Sequence, residues 1–478
     1  MFFQLSTSHQ KTLLGALALG LALALAGCES LPRPSAEPEV GLDIPAVWYG
    51  ASKGKAAKIS TGWLKTFRDR ELNALVDEAM TNNRNLQVAA ARFAIAREEA
   101  VSARSNRLPA IGARAGQSRT RNGMGPDLPR TLESSYRLAL DASWEVDLWG
   151  RLRDLDKAAQ LDVTSAKADF RSARLSLAAN TAKAWFDFIA AVQQRQLATE
   201  TLENFVRNHR ITERNYKAGD EAASPLNVQL GRTNVASAER ALVRARFNQD
   251  EAARALEIFI GRYPSAELEG RAALPDLPSN VPTGLPPELL LRRPDLVNAA
   301  AALEASAKRA DAARKDLLPS ISLSGGLSSS SSDLNRALID PEYFVWTVAS
   351  SLAQRVYEGG APTAAARRAL AQNDLAIRSF ASLALQAFGE VESALARELS
   401  LAEQEDFLNV ELAQANLAET QASRDYSEGL VGIISLFEAQ RRAVSARRDM
   451  IELRNQRLQN RIDLHLALGG DFNTDSSE

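Results

Sequence analysis

The chain has 478 residues, 57 Lys and Arg against 59 Asp and Glu, a formal net charge of -2, 45% hydrophobic and 24% charged residues, a balance that excludes a disordered polymer. A single Cys and three His leave almost no material for a disulfide framework, a zinc site or a Cys/His catalytic pair. Charges of both signs are spread evenly, so the chain offers no basic face for nucleic acid.

Residues 12–26 read TLLGALALGLALALA, an apolar run that fits the h-region of an export signal and is short for a membrane-spanning helix of about 20 residues. The run ends on Leu25 and Ala26, Gly27 and Cys28 follow, and small residues ending at a Cys resemble the lipobox of bacterial lipoproteins. The resemblance implies that residues 1–27 are removed and that Cys28 carries covalent lipid, whose buried methylenes contribute about 0.8 kcal/mol each. Glu29 stands where an Asp commonly signals inner-membrane retention, which favours the outer membrane.

Set against itself at an offset of 210, the chain pairs Leu86 with Leu296, Arg104 with Arg314, Pro109 with Pro319 and Gly116 with Gly326, and farther on Tyr216 with Tyr426, Gly219 with Gly429 and Leu226 with Leu436. A tandem duplication accounts for this. It divides the chain into an acylated linker (28–60), a first repeat (61–261), a Pro-rich connecting or equatorial segment (262–294), a second repeat (295–469) and a flexible tail (470–478). Seven Pro in the connecting segment forbid a long helix there.

Each repeat carries two strand-like stretches, about 108–122 and 132–148 in the first and about 318–328 and 343–357 in the second. Between Leu132 and Leu148 the even positions are mostly apolar and the odd ones include Glu133, Arg137, Asp141, Glu145 and Asp147, the period of two that a strand requires. Alternation over about ten residues suits a membrane β-barrel, apolar to lipid and polar to a wet lumen. Trp144, Trp149 and Trp346 are candidates for the membrane interface, where amphipathic rings collect. Four strands cannot close a barrel, because closed membrane barrels begin at about eight, so several chains must share one. The serine-rich stretch Ser329 to Glu342 reads as a solvated loop between strands.

The remaining segments are helical. Arg153 to Tyr216 contains no Pro or Gly, and Ala364 to Tyr426 repeats this with one Gly. Returning helices span about Pro225 to Ile260 and Ser435 to Leu468, opened by Ser or Pro and closed by Gly261 and Gly469, so the sequence predicts two long antiparallel hairpins. Their alanine content permits close helix approach.

Three stretches, GWLKTFRDRELNALVDEAMTNNRNLQVAAAR, SWEVDLWGRLR and LLLRRPDLVNAAAALEASAKRADAARKDLLPSISLSGG, resemble the TolC-like outer-membrane factors, in particular their NodT-type lipoprotein branch. That resemblance implies a fold that is mainly α with membrane β. Three chains form a shared 12-stranded outer-membrane β-barrel, four strands per chain, continued by a periplasmic α-helical barrel with an equatorial domain. It implies a homotrimer in outer-membrane lipid, serving as a passive exit duct for an inner-membrane RND-type pump through a periplasmic adaptor, with no cofactor beyond the lipid on Cys28 and no metal. The adaptor would meet the hairpin tips at Tyr216, Gly219 and Leu226 and at Tyr426, Gly429 and Leu436. Glu438 and Arg441, three residues apart on one helix face, stand at motif positions where family members narrow the periplasmic end, and they are the candidate gate. The family more commonly has Asp at the first of these.

Other readings remain to be separated: the outer-membrane component of a metal-ion or type I protein export system, a structural periplasmic coiled-coil lipoprotein, or a lipoprotein hydrolase. No GxSxG, HExxH or Gly-rich phosphate loop is present, and outside the signal only His209 and His465 occur, read as solvated residues on helices.

Overall fold

The computed structural model describes residues 31–37, 44–45, 47–50, 62–122, 131–219, 224–269, 273–278 and 286–472. The export signal, Cys28, the loop 123–130 and parts of the connecting segment and tail lie outside them. A 3-10 turn at Trp63–Phe67 leads into α1 (Arg70–Asn82), α2 (Arg84–Ser105), β1 (Ala110–Asn122), β2 (Thr131–Val146), α3 (Arg151–Lys217) and α4 (Pro225–Ile260). The second half holds α5 (Leu289–Arg292), α6 (Pro294–Lys315), β3 (Ser320–Ser331), α7 (Leu334–Ile339), β4 (Phe344–Ala353), α8 (Ala361–Ser427) and α9 (Ile433–Ala467). Helices α2 and α6, strands β1 and β3, and helices α3 and α8 each begin 210 residues apart, so the duplication extends to element boundaries. Nevertheless the chain packs into two bodies, Met1–Val40 with Arg92–Lys167 and Asn298–Ser382, and Gly41–Ala91 with Ala168–Val297 and Leu383–Glu478, and each repeat contributes to both.

The first body contains one antiparallel sheet in the order β1-β2-β3-β4. Beneath it, oppositely charged side chains join the helix ends: Lys315 to Asp154, Arg107 to Asp156 at 2.6 Å, and Arg151 to Glu145 at 2.7 Å. The serine-rich stretch differs from the solvated loop expected of it. Ser329 pairs with Leu138 and Phe344, Ser331 pairs with Tyr136, and both are buried. The chain then forms α7, because Asp333 accepts hydrogen bonds from the backbone N–H groups of Asn335 and Arg336 and so caps a helix.

The second body holds the apolar core. Trp63, Phe67, Leu72 and Val76 pack with Phe186, Phe188 and Ile189 of α3, Leu256 and Ile260 of α4 and Leu458 and Ile462 of α9. Full burial of each such side chain is worth about 1.5–3 kcal/mol. Asp69 caps α1 and also accepts the indole N–H of Trp185 at 3.0 Å, which ties the stretch that begins GWLKTF to α3. In the stretch LLLRRPD, the Arg293 guanidinium forks onto Asp295 at 3.0 and 2.7 Å and reaches Glu390 of α8 at 2.6 Å. One charged residue thereby fastens the start of α6 to α8.

Two expectations are corrected here. Helix α9 starts at Ile433 after Gly432 with no side-chain cap, earlier than the Ser435 opening, because Ile433 is buried and draws the first turn inward. His465 is 3% exposed and stacks on Trp63 with 5.5 Å between centroids, and burial, with a contribution from Arg461, pushes its pKa down to about 3. It is a core residue. His209 is half-buried, its ring lying against Gly231 of α4.

Candidate functional site

The register of the sheet sorts its residues onto two chemically distinct faces. Residues paired across strands share a face, so Leu140 stands beside Ala113 and Leu327, Trp144 beside Leu323, and Leu327 beside Trp346. With Ile111, Leu138, Val146, Ile321, Val348 and Leu352 they form one continuous apolar face, much of it exposed, Trp346 at 75% and Val348 at 77%. The opposite face carries Arg114, Arg137, Asp141, Glu145, Ser322, Ser324, Thr347 and Ser351, with Arg114 and Asp141 paired at 3.6 Å. From Tyr136 to Val146 the apolar band of β2 runs ten steps, about 34 Å at 3.4 Å each, which at a tilt of about 35–45° covers about 24–28 Å, the depth of an outer-membrane apolar band. Among the described residues no helix is long and apolar enough to cross a membrane. The sheet is the part suited to lipid, and among the described residues β1 and β4 each leave one edge unpaired.

The three tryptophans lie on or beside this sheet. The Trp144 indole donates to the Arg107 carbonyl at 2.9 Å and Trp149 donates to the Pro319 carbonyl at 2.7 Å. Their hydrogen bonds are met by backbone at the foot of the strands. Trp346, the third of the ten residues of β4, lies on the apolar face.

At the far end of the helices, Gly219 and Gly429 follow α3 and α8 with φ of 81° and 73°, the left-handed conformation that a helix C-terminus needs and that a side chain disfavours. Tyr216 and Leu226 are exposed, and the Tyr426 hydroxyl lies 3.4 Å from Thr212 Oγ1. Residues 220–223 of the first tip lie outside the described residues. Leu436 departs from its expected role as a contact at the tip. It is 2% exposed, on the inward stripe of α9 with Ile433, Gln440 and Ala443, so it supports the tip from within.

Glu438 sits one turn into α9 and holds two cations. Arg442 Nε donates to Glu438 Oε1 at 2.8 Å, and Arg441 donates to the other carboxylate oxygen. The hydrogen bond from Arg442 and the charges of both guanidiniums hold the Glu438 carboxyl below its ordinary range. Sequence reasoning paired Glu438 with Arg441 alone and missed Arg442; the signal was there, since a carboxylate four residues ahead of an Arg is the favoured helical pairing. All three side chains are well exposed, at 40%, 75% and 74%. Position 228 of the first repeat, which corresponds to 438, is a buried Val. On α8, Leu399, Phe407, Val410 and Leu417 form an exposed apolar stripe, the kind of surface a neighbouring helix covers.

A family model described as outer membrane efflux protein matches residues 75–262 and 285–470. The chain is 28% identical over 462 residues to the cation efflux system protein CusC of Escherichia coli O6:H1, covering 95% of this chain and 97% of that protein. It is 29% identical over 467 residues to the pyoverdine export outer membrane protein OpmQ of Pseudomonas putida, covering 96% and 97%. The solved outer-membrane channel OprN superimposes with a TM-score of 0.83 at 26% identity, over 92% of this chain and 99% of that one. The chain belongs to the outer membrane efflux protein family, and it is an outer-membrane channel component of a tripartite efflux system with the TolC-like fold, not an enzyme. Its family works as trimers with an adaptor and an inner-membrane pump.

Proposed function

We propose that this chain is a lipid-anchored trimeric exit duct whose periplasmic end is held shut by the Glu438, Arg441 and Arg442 cluster and whose hairpin tips receive a periplasmic adaptor. The observation that carries this reading is the sheet with one exposed apolar face, one polar face and two open edges, which is a third of a barrel rather than a complete one. Cys28 is the acylation site, its lipid being the only covalent group the duct needs; Trp144, Trp149 and Trp346 sit in contact with the lipid phase. The inner-membrane partner is a pump of the resistance-nodulation-division class. The pump selects the cargo, since a wide aqueous bore has few contacts with which to discriminate, and relatives of one architecture are named for cargoes as different as cations and pyoverdine.

The test is reconstitution of the purified protein in planar bilayers, with heat-modifiable migration of the detergent-solubilised protein as the measure of assembly. The expected result is a trimer with low resting conductance that rises when the Glu438 cluster is broken. Monomeric protein, or trimers that conduct nothing even with the cluster broken, would overturn the reading.

A further inference from the structure

We infer that Asn373 clasps the N-terminal segment at Ser35 and thereby fixes how far the lipid anchor can lie from the foot of the sheet. The inference rests on the acylation of Cys28 proposed above. In the first body, the Asn373 side chain of α8 is 3% exposed and pairs with both backbone groups of a single residue: its Oδ1 accepts from the Ser35 N–H at 3.0 Å and its Nδ2 donates to the Ser35 carbonyl at 2.9 Å. The same Nδ2 donates to Ser306 Oγ of α6 at 3.0 Å, and Ser306 in turn donates to the Leu303 carbonyl. A buried amide thus spends its hydrogen-bonding capacity on holding the backbone of a residue 338 positions away, where loss of either member strands a buried polar group. The second body has an independent clasp. Glu392 accepts from the N–H groups of Tyr49 at 2.9 Å and Gly50 at 2.7 Å, and Trp48 is buried against Phe388.

The lengths explain what the first clasp does. Ser306 lies nine residues before the end of α6 at Lys315, about 14 Å, and Asn373 lies twelve residues after the start of α8 at Ala361, about 18 Å. From Cys28 to Ser35 is seven residues, which reach at most about 25 Å. Pro32 and Pro34 favour an extended course of about 3.1 Å per residue, or about 22 Å. The tether therefore exceeds the rise of the helices by only a few ångström, which makes it a ruler with little slack. Removing three residues shortens it by about 10 Å and leaves less than the helical rise.

Hydrogen exchange at the Ser35 amide, measured in proteoliposomes with lipid incorporation recorded in parallel, tests this. In the wild type the amide exchanges slowly, and Asn373→Ala raises its rate at least tenfold. Deleting residues 31–33 raises it similarly when Cys28 is acylated, because the anchor pulls the clasp open, and leaves it slow when the deletion is combined with Cys28→Ser. Slow exchange in the acylated deletion, or fast exchange in both deletion variants, overturns the ruler while leaving acylation standing. A wild type that takes up no labelled lipid overturns both.

Discussion

Acidification should weaken this protein through His465, and the size of the effect follows from its surroundings. The imidazole is 3% exposed, stacked on Trp63 and one turn from Arg461, so burial first and the neighbouring guanidinium second keep it neutral down to a pKa of about 3, against 6.5 for an ordinary His. The sign is fixed by proton uptake: below pH 6.5 the unfolded chain binds a proton that the folded chain refuses. This contribution is therefore complete above pH 6.5 and is lost as pH falls toward about 3. Between pH 7.5 and pH 5 the difference amounts to about 2 kcal/mol per chain. His465→Phe preserves a ring against Trp63 and removes the titration. Denaturant titrations of the detergent-solubilised protein at the two pH values should show a wild-type loss about 2 kcal/mol larger than that of His465→Phe, carboxylates and the other His being common to both. Equal losses would refute the account of a buried neutral imidazole.

Cys28→Ser should abolish incorporation of labelled lipid while the trimer still assembles, since the apolar sheet supplies its own membrane affinity; continued labelling in cells would reject Cys28 as the acceptor. Glu438→Ala should raise single-channel conductance more than Arg441→Ala or Arg442→Ala alone, because each single Arg variant leaves the other guanidinium on the carboxylate; wild-type conductance in all three would reduce the cluster to an ordinary exposed helical ion pair. Leu at Gly219 or Gly429 forces a side chain into a left-handed backbone at a cost of about 1–2 kcal/mol and should impair efflux at normal outer-membrane abundance; unimpaired drug or metal resistance in both variants would remove the tips from the docking surface. Quenching by lipid-phase probes should reach Trp346, the most exposed of the three tryptophans, before the two whose indoles are bound to backbone.

Much of the architecture was legible because its signals are local. Helix α3 falls within two residues of a run free of Pro and Gly, α4 begins at the Ser224-Pro225 pair, and period-two alternation located β2, β3 and β4, with β1 the least regular of the four stretches. What escaped was the part written between distant segments. Helix α9 carries polar residues all round, which in isolation reads as solvent exposure, yet Asn455, Asn460, Arg461 and His465 are buried. Their partners lie elsewhere: Arg461 donates to Glu398 at 2.6 Å, Asn460 to the Ala394 carbonyl at 3.1 Å, and Asn455 to Asp187 at 2.7 Å. No periodicity within α9 reveals a partner supplied by α8 or α3, so a helix enclosed on two sides by matched polar groups looks like a surface helix.

The same kind of contact explains why the two repeats, so alike in backbone, are unequal at the candidate gate. Positions 438, 441 and 442 of the second repeat correspond to Val228, Gly231 and Arg232 of the first. Val228 is buried, and Gly231 lies so close to the His209 ring that a Cβ there would stand 2.8 Å from Nδ1. A guanidinium cannot grow from position 231 unless His209 moves, and Arg232 is already turned toward Glu213 of α3 at 4.0 Å. At positions 228 and 231 the first hairpin is packed by apolar and ring contacts, with Lys217 and Arg232 held on Glu213 of α3, whereas the second presents a carboxylate and two guanidiniums from one helix, their strength set by solvent and by whatever charge approaches. In the proposed trimer three hairpins would carry these charges and three would not. Exposed ion pairs are individually weak, and that weakness would suit the proposed closure: the six pairs of a trimer, two on each Glu438, could be exchanged for adaptor contacts, where a buried apolar seam could not.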